Sequence, residues 1–127
     1  DRVDLLADFN FAICERLTRP DLLAYLRHAR SRLRPGGLLA VDLYGGGHAY
    51  VLGESDQELR SAELGGVRYV WEQREADALS GRVENAMHFG LPSGVGKSMK
   101  DAFVYDWRLW TLAELREERD AIRDLLA

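Results

Sequence analysis

The chain opens on VDLLADFNFAI, residues 3–13, an apolar run broken only by Asp8 and Asn10. Such a run predicts a strand buried on both faces that ends in polar residues. Thr18-Arg19-Pro20-Asp21 then supplies a helix start, with Thr18 as cap, Pro20 in the first turn and Asp21 against the positive end. Leu22, Leu26, Ala29 and Leu33 recur at helical spacing while Arg27, Arg30, Arg32 and Arg34 fall on the opposite face, the pattern of an amphipathic helix. Arg34-Pro35-Gly36-Gly37 should stop it, because proline cannot continue the hydrogen-bond ladder and glycine supplies the turn. LLAVDLY at 38–44 reads as a second buried strand. Strand, helix and strand at this length predict a right-handed βαβ unit with parallel strands.

After Tyr44 the pattern changes. Gly45-Gly46-Gly47 opens an irregular stretch, and Ser55 to Ala62 has the composition of a short polar helix. Three strand-like runs follow, Val67 to Ala76, Arg82 to Leu91 and Ala102 to Trp110, joined by Asp77-Ala78-Leu79-Ser80-Gly81 and by GLPSGVGKS. Val83, Met87, Phe89 and Leu91 alternate with Glu84, Ala86 and His88, and Phe103, Tyr105, Trp107 and Leu109 with Val104, Asp106 and Arg108, so each strand carries one apolar face. Thr111-Leu112-Ala113-Glu114 is a capping box, and Leu115, Ile122, Leu125 and Leu126 stripe the helix it starts, with Arg119 interrupting. The expected class is α/β in one domain over 1–127: a βαβ unit over 1–44, a loop and three-stranded antiparallel insert over 45–110, and a C-terminal helix over 111–127.

With 127 residues, the chain can bury about two-thirds of its unfolded surface around one core. No apolar run approaches the ~20 residues of a spanning helix, so no membrane role is expected. The net charge of −4 comes from scattered acids and arginines, and no basic stripe marks a nucleic-acid footprint. Cys14 is the only cysteine, which excludes an internal disulfide and multi-cysteine metal sites, fits a reducing cytoplasm, and reads as a buried inert thiol. The GKS ending the 90–98 loop resembles a phosphate-binding loop, but the pattern places a glycine at 91, where Leu91 stands, and a strand rather than a helix follows. A hairpin loop is the expectation there; nucleotide binding is the competing one.

VDLLADFNFAICERLTRPDLLAYLRHARSRLRPGGLLAVDLY resembles the fourth strand, following helix and fifth strand of class I S-adenosylmethionine-dependent methyltransferases. LRPGG before a strand is its most recognisable phrase, and DAFVYDWRLWTLAELRE looks like the segment leading into the last large helix of a small-molecule branch with an antiparallel insert. The resemblance implies a partial Rossmann-like sheet, S-adenosylmethionine as cofactor, and transfer of methyl to oxygen or nitrogen of a small molecule. The glycine-rich turn and acidic residue that hold the cofactor in that family fall outside the sequence, so an internal piece of a methyltransferase is implied. The competing expectation is a non-catalytic remnant that acts as a dimerising interaction module through its open strand edges.

Ligands of open α/β sheets sit beyond the carboxyl ends of the strands, which puts forward Asp8, Phe9, Asn10 and Phe11 after the first run and Tyr44 to His48 after the second. By resemblance the first group lies beside the methionine part of the cofactor. A strand-end turn for Asp8 and Asn10, and core packing for Phe9 and Phe11, are the structural alternatives. His48 follows three glycines and has the chemistry of a general base, or of a solvated loop histidine. Asp42 interrupts an apolar strand and requires a partner or a pocket. Tyr44, Trp71, Arg108 and Trp110 are candidates for substrate contact, and Trp71, Trp107, Arg108 and Trp110 equally for a homodimer interface. His28 and His88 lack a second ligand at metal spacing, so no metal is expected.

Overall fold

The computed structural model describes residues 1–92, 94 and 96–125. The chain divides into two compact units, one of Asp1–Gly46 with Trp107–Ala127 and the other of Gly47–Asp106.

The first unit begins with β1 (Val3–Asp8), which stops earlier than the apolar run suggested. Asn10 and Phe11 both take left-handed backbone, φ 60° and 61°, and a short 3-10 turn follows over Ala12–Glu15. Two consecutive left-handed residues cannot continue a strand. Helix α1 (Arg19–Arg32) starts as its sequence dictates: Thr18 Oγ1 accepts the Asp21 N–H at 3.3 Å and proline sits in the first turn. Leu22 and Ala29 turn into the core.

β2 (Leu33–Val41) corrects the expected strand at 38–44, because it begins before the Arg-Pro-Gly-Gly segment. Leu33 is already extended (φ −93°, ψ 143°), and Pro35 disfavours helical backbone at Arg34. β1 and β2 pair in parallel with Val3 opposite Leu33, Leu5 opposite Leu38 and Asp8 opposite Val41. Between the first two pairs β2 spends more residues than β1, and the excess is a bulge made by the Pro-Gly-Gly turn with Gly36 at φ 79°. A side chain on Gly37 would lie 2.9 Å from the Arg34 carbonyl oxygen and 3.1 Å from that of Asp4, so the close approach of the strands requires glycine there. The expectation of burial on both faces does not hold. The two strands form a sheet of their own, and Leu5 and Leu38 are exposed.

Helix α2 (Leu112–Leu125) completes this unit. Its capping box is formed as the sequence reads: the Glu114 N–H donates to Thr111 Oγ1 and the Thr111 N–H to Glu114 Oε1, each at 3.0 Å. Of the proposed stripe, Ile122 is buried, and Leu126 lies outside the described residues. The core gathers Ile13, Cys14, Leu22, Ala29, Trp107, Leu109, Trp110 and Ile122. Trp110 is 2% exposed, and burying one indole stabilises by roughly 4–6 kcal/mol.

The second unit is a four-stranded sheet in the order β3 (Gly53–Ser61), β4 (Gly65–Gln73), β5 (Arg82–Gly90), β6 (Met99–Arg108). The insert therefore has four strands, not three. The stretch expected as a polar helix at 55–62 is β3, paired residue for residue with β4 from Gly53 opposite Gln73 to Ser61 opposite Gly65. Ser61 Oγ closes the turn by accepting the N–H groups of Glu63 and Leu64 at 3.3 and 3.2 Å. Tertiary pairing overrides local propensity here, and the strand signal that remains is charge at every second position, Glu54, Asp56, Glu58 and Arg60. Val67, Val70, Val83 and Ala86 are buried in this unit, and an additional short turn spans Gly47–Tyr50. The 91–98 loop joins two strands of one sheet, as a hairpin loop should, and Met99 after it begins a strand; Ser93 and Val95 lie outside the described residues. Among the described residues no helix is long and apolar enough to cross a membrane.

Candidate functional site

The carboxyl ends of β1 and β2 lie side by side, since Asp8 is opposite Val41. One residue further along, Asp42 reaches across: its Oδ2 accepts the Asn10 N–H at 3.0 Å and its Oδ1 the Phe11 N–H at 2.7 Å. Each oxygen of the carboxylate thus takes one of two successive amides. Left-handed backbone costs roughly 1–2 kcal/mol for a residue with a side chain, less for asparagine, while charge-assisted hydrogen bonds contribute about 1.5–3 kcal/mol each. The two bonds outweigh the strain of the turn they hold. This is the partner that a charge in an apolar strand demands, and it ties each Asp42 oxygen to the turn.

The clamped turn fixes its neighbours. Phe11 C=O accepts the Cys14 N–H at 2.9 Å, and the Phe11 ring sits 5.2 Å from Tyr44 and 5.8 Å from Trp107, with Tyr44 and Trp107 5.1 Å apart. Three rings in mutual edge and tilted contact make an apolar wall beside the strand ends. Behind it Cys14 is fully buried, its Sγ 3.8 Å from the Tyr44 carbonyl, and burial pushes the thiol up from its ordinary pKa. Asp8, at the end of β1, accepts a 2.7 Å hydrogen bond from Tyr25 Oη on α1. Burial first, and then that bond, push the Tyr25 hydroxyl above its ordinary pKa, so it stays a donor and keeps Asp8 oriented. Phe9 is 56% exposed and Asn10 is exposed with its side-chain amide unpartnered among the described residues. Of the four residues put forward at this strand end, Phe11 serves the wall, Asp8 is half-buried against Tyr25, and Phe9 and Asn10 keep their side chains at the surface.

Arg108 and Trp110, put forward for substrate or interface contact, make their contacts within the same unit. The Trp110 Nε1–H donates to the Arg16 carbonyl at 2.7 Å, and the Arg108 guanidinium lies 3.6 Å over the indole ring while bonding Glu114 Oε2 at 3.1 Å. Trp107, the third of the proposed interface residues, is likewise buried. The buried Trp107 and Trp110 rings have no face to offer a substrate or a second copy, whereas Arg108 stays partly exposed.

In the second unit Trp71 is half-buried against Tyr105, ring centroids 5.8 Å apart, and its Nε1–H donates to Gln73 Oε1 at 3.3 Å. Gln73 Nε2 in turn donates to the carbonyls of His48 and Val51 at 2.9 and 2.8 Å. Gln73 therefore ties the His48 backbone to the Trp71 ring. The His48 imidazole is exposed and unpartnered among the described residues. Nothing in the sequence pattern singled out Gln73 or Tyr25, which act through contacts set by the fold.

The same unit brings Glu54, Glu72 and His88 together from three adjacent strands, their ligand atoms within 4.8 Å of one another. Spacing along the chain could not reveal this, because the residues meet by strand register, Glu54 opposite Glu72 and His88 opposite Val70. The Asp101 N–H donates to His88 Nδ1 at 2.8 Å, so the proton of the neutral ring is on Nε2, which bonds Glu72 Oε2 at 2.9 Å. Arg74 joins Glu72 and Asp101 at 3.1 and 2.7 Å. With its Nε2 lone pair absent, His88 completes a hydrogen-bonded ladder rather than offering a metal ligand.

No family model and no curated sequence matches the chain. Solved structures do. A S-adenosylmethionine-dependent methyltransferase from Clostridium acetobutylicum aligns over 94% of this chain and 46% of its own, with 19% identity and a TM-score of 0.67. The sugar N-methyltransferase KedS8 from Streptoalloteichus aligns over 94% of this chain and 47% of its own, with 15% identity and a TM-score of 0.73. DesVI of Streptomyces venezuelae gives 94% and 50%, 19% identity and a TM-score of 0.73. The chain spans about half the length of the structures it matches. Its fold is that of roughly half a S-adenosylmethionine-dependent methyltransferase.

Proposed function

We propose that the chain belongs to an S-adenosylmethionine-dependent methyltransferase that methylates oxygen or nitrogen of a small molecule. The observation that carries this reading is the clamped turn at the carboxyl ends of two parallel strands, the position where open α/β sheets bind ligands, in a fold shared with methyltransferases. The residues fit such a group. Asn10 offers an uncommitted amide, Asp8 an oriented carboxylate, Phe9 an exposed ring, and Phe11 with Tyr44 an apolar wall. The cofactor supplies a methyl on a sulfonium sulfur, which leaves as a neutral thioether when an oxygen or nitrogen lone pair takes the methyl.

Catalysis of such a displacement rests mainly on placement and on keeping water out. In this chain Asp42 fixes the turn, Tyr25 fixes Asp8, and the Phe11–Tyr44–Trp107 rings close off solvent. His48, exposed and with its ring nitrogens uncommitted, is the proposed acceptor of the proton that the nucleophile loses. Trp71 and Tyr44 are the proposed substrate contacts. A small-molecule substrate accords with the sugar N-methyltransferase among the similar structures and with the absence of a basic stripe. The single buried cysteine accords with a cytoplasmic location. Isothermal calorimetry on the full reading frame that carries this chain should register binding of S-adenosylmethionine; no heat and no competition by S-adenosylhomocysteine would end the reading.

The second reading is a self-associating module. β6 is an edge strand, and Met99, Phe103 and Val104 are exposed on it, an apolar edge that a second copy could cover. A monomer in light scattering at micromolar concentration would remove it.

A further inference from the structure

Asp42 does more than pair a half-buried charge. Its carboxylate spans 31 to 32 residues of sequence to hold two successive amides, and both belong to residues with side chains in the left-handed region that favours glycine. Without that anion, Asn10 and Phe11 have every reason to relax to extended backbone. The relaxation would turn the Asn10 amide away and withdraw the Phe11 ring from Tyr44 and Trp107. Strain retained at the carboxyl end of a parallel strand, and offset by one dedicated side chain, is how a binding turn is kept in its working shape before the ligand arrives.

We infer that Asp42 is a positioning residue for the cofactor turn Phe9–Phe11: it preorganises the turn by anchoring its two amides and touches neither cofactor nor substrate. This inference rests on the methyltransferase reading for the identity of the ligand, and on geometry alone for the clamp. Both Asp42 oxygens are committed to the Asn10 and Phe11 N–H groups, which is why a positioning role is assigned and not an acid–base one.

The test has two readouts. In the 127-residue chain, Asp42→Ala should lower the hydrogen-exchange protection of the Asn10 and Phe11 amides at least tenfold while protection in α1 persists. In the full reading frame, the same variant should weaken S-adenosylmethionine binding at least tenfold. The loss should appear chiefly in the KM for the cofactor, with a smaller fall in kcat because the same turn carries the Phe11 ring. Asp42→Asn, which keeps one acceptor oxygen, should weaken binding less than Asp42→Ala, in step with the amide protection it retains. A defect of general folding would not track the two amides in this way. Unchanged protection of both amides overturns the clamp. Lost protection with cofactor affinity within twofold of the parent overturns the positioning role. If the parent protein binds no cofactor, the methyltransferase reading falls and takes the ligand with it, and the exchange measurement alone then decides the clamp. Should Asp42→Ala fail to fold, Asp42→Asn keeps one acceptor oxygen, and loss of protection at one of the two amides replaces the first readout.

Discussion

Trp110→Phe isolates one hydrogen bond in the core of the first unit. The indole is 2% exposed and its Nε1–H is the donor to the Arg16 carbonyl at 2.7 Å. Phenylalanine keeps most of the ring and the Arg108 contact, but leaves that carbonyl without its donor, a loss of about 1–3 kcal/mol. The smaller ring removes about another 1 kcal/mol of apolar burial, for a total near 2–4 kcal/mol. Trp110→Ala adds a cavity and should cost about 3–5 kcal/mol or more. Urea denaturation followed by far-ultraviolet circular dichroism reads both. A loss of 3 kcal/mol moves the midpoint by about 1–2 M at slopes usual for this size. Arg108→Ala, which removes the cation over the ring, its bond to Glu114 and a long 3.4 Å bond to the Leu17 carbonyl, should cost about 1 kcal/mol. If Trp110→Phe shifted the midpoint by less than 0.3 M, roughly 0.5 kcal/mol at those slopes, the Nε1 bond would carry no weight. If Trp110→Ala altered self-association and left the midpoint in place, the indole would belong to an interface after all.

Gly37→Ala should destabilise by about 1–3 kcal/mol through overpacking, since its new methyl meets the Arg34 and Asp4 carbonyl oxygens, whereas Ala at exposed Gly47 should change the melting midpoint little. Glu72 is held below the usual carboxylate pKa by the His88 hydrogen bond first and by Arg74 second; its contribution is therefore complete above about pH 4.3 and is lost as pH falls through the lower folded value. Glu72→Gln should flatten that acid-side decline in thermal melts, while equal declines in both proteins would place the titration on other groups, with Glu54 and Asp101 the nearest.

What the chain discloses about itself depends on how far its interactions reach. Thr18 and Thr111 cap their helices through side chains three residues away, so local chemistry is enough to place both starts. The Pro35-Gly36-Gly37 segment reads as a stop by the same local logic, yet it becomes a bulge inside β2 because β1 pairs on both sides of it. β3 has no apolar periodicity at all, and nine paired residues on β4 give it its shape. At the site, Asp42 betrays itself as a charge in an apolar strand, but which amides it holds depends on strand register. Trp110 reads as a surface aromatic because alternation along β6 was extended past Arg108, where the strand ends. Parity arguments fail beyond the last ladder bond.

The outer edges of the second sheet differ in a way that limits how the molecule can grow. β3 sets Glu54, Asp56 and Glu58 along one rim, so an approaching copy of that rim meets its own charge and is turned away. The opposite rim, β6, carries Met99, Phe103 and Val104 uncovered. Within this sheet, growth through the apolar rim alone joins one copy to one other and then leaves only the charged rims outward, so pairing by this route should stop at two.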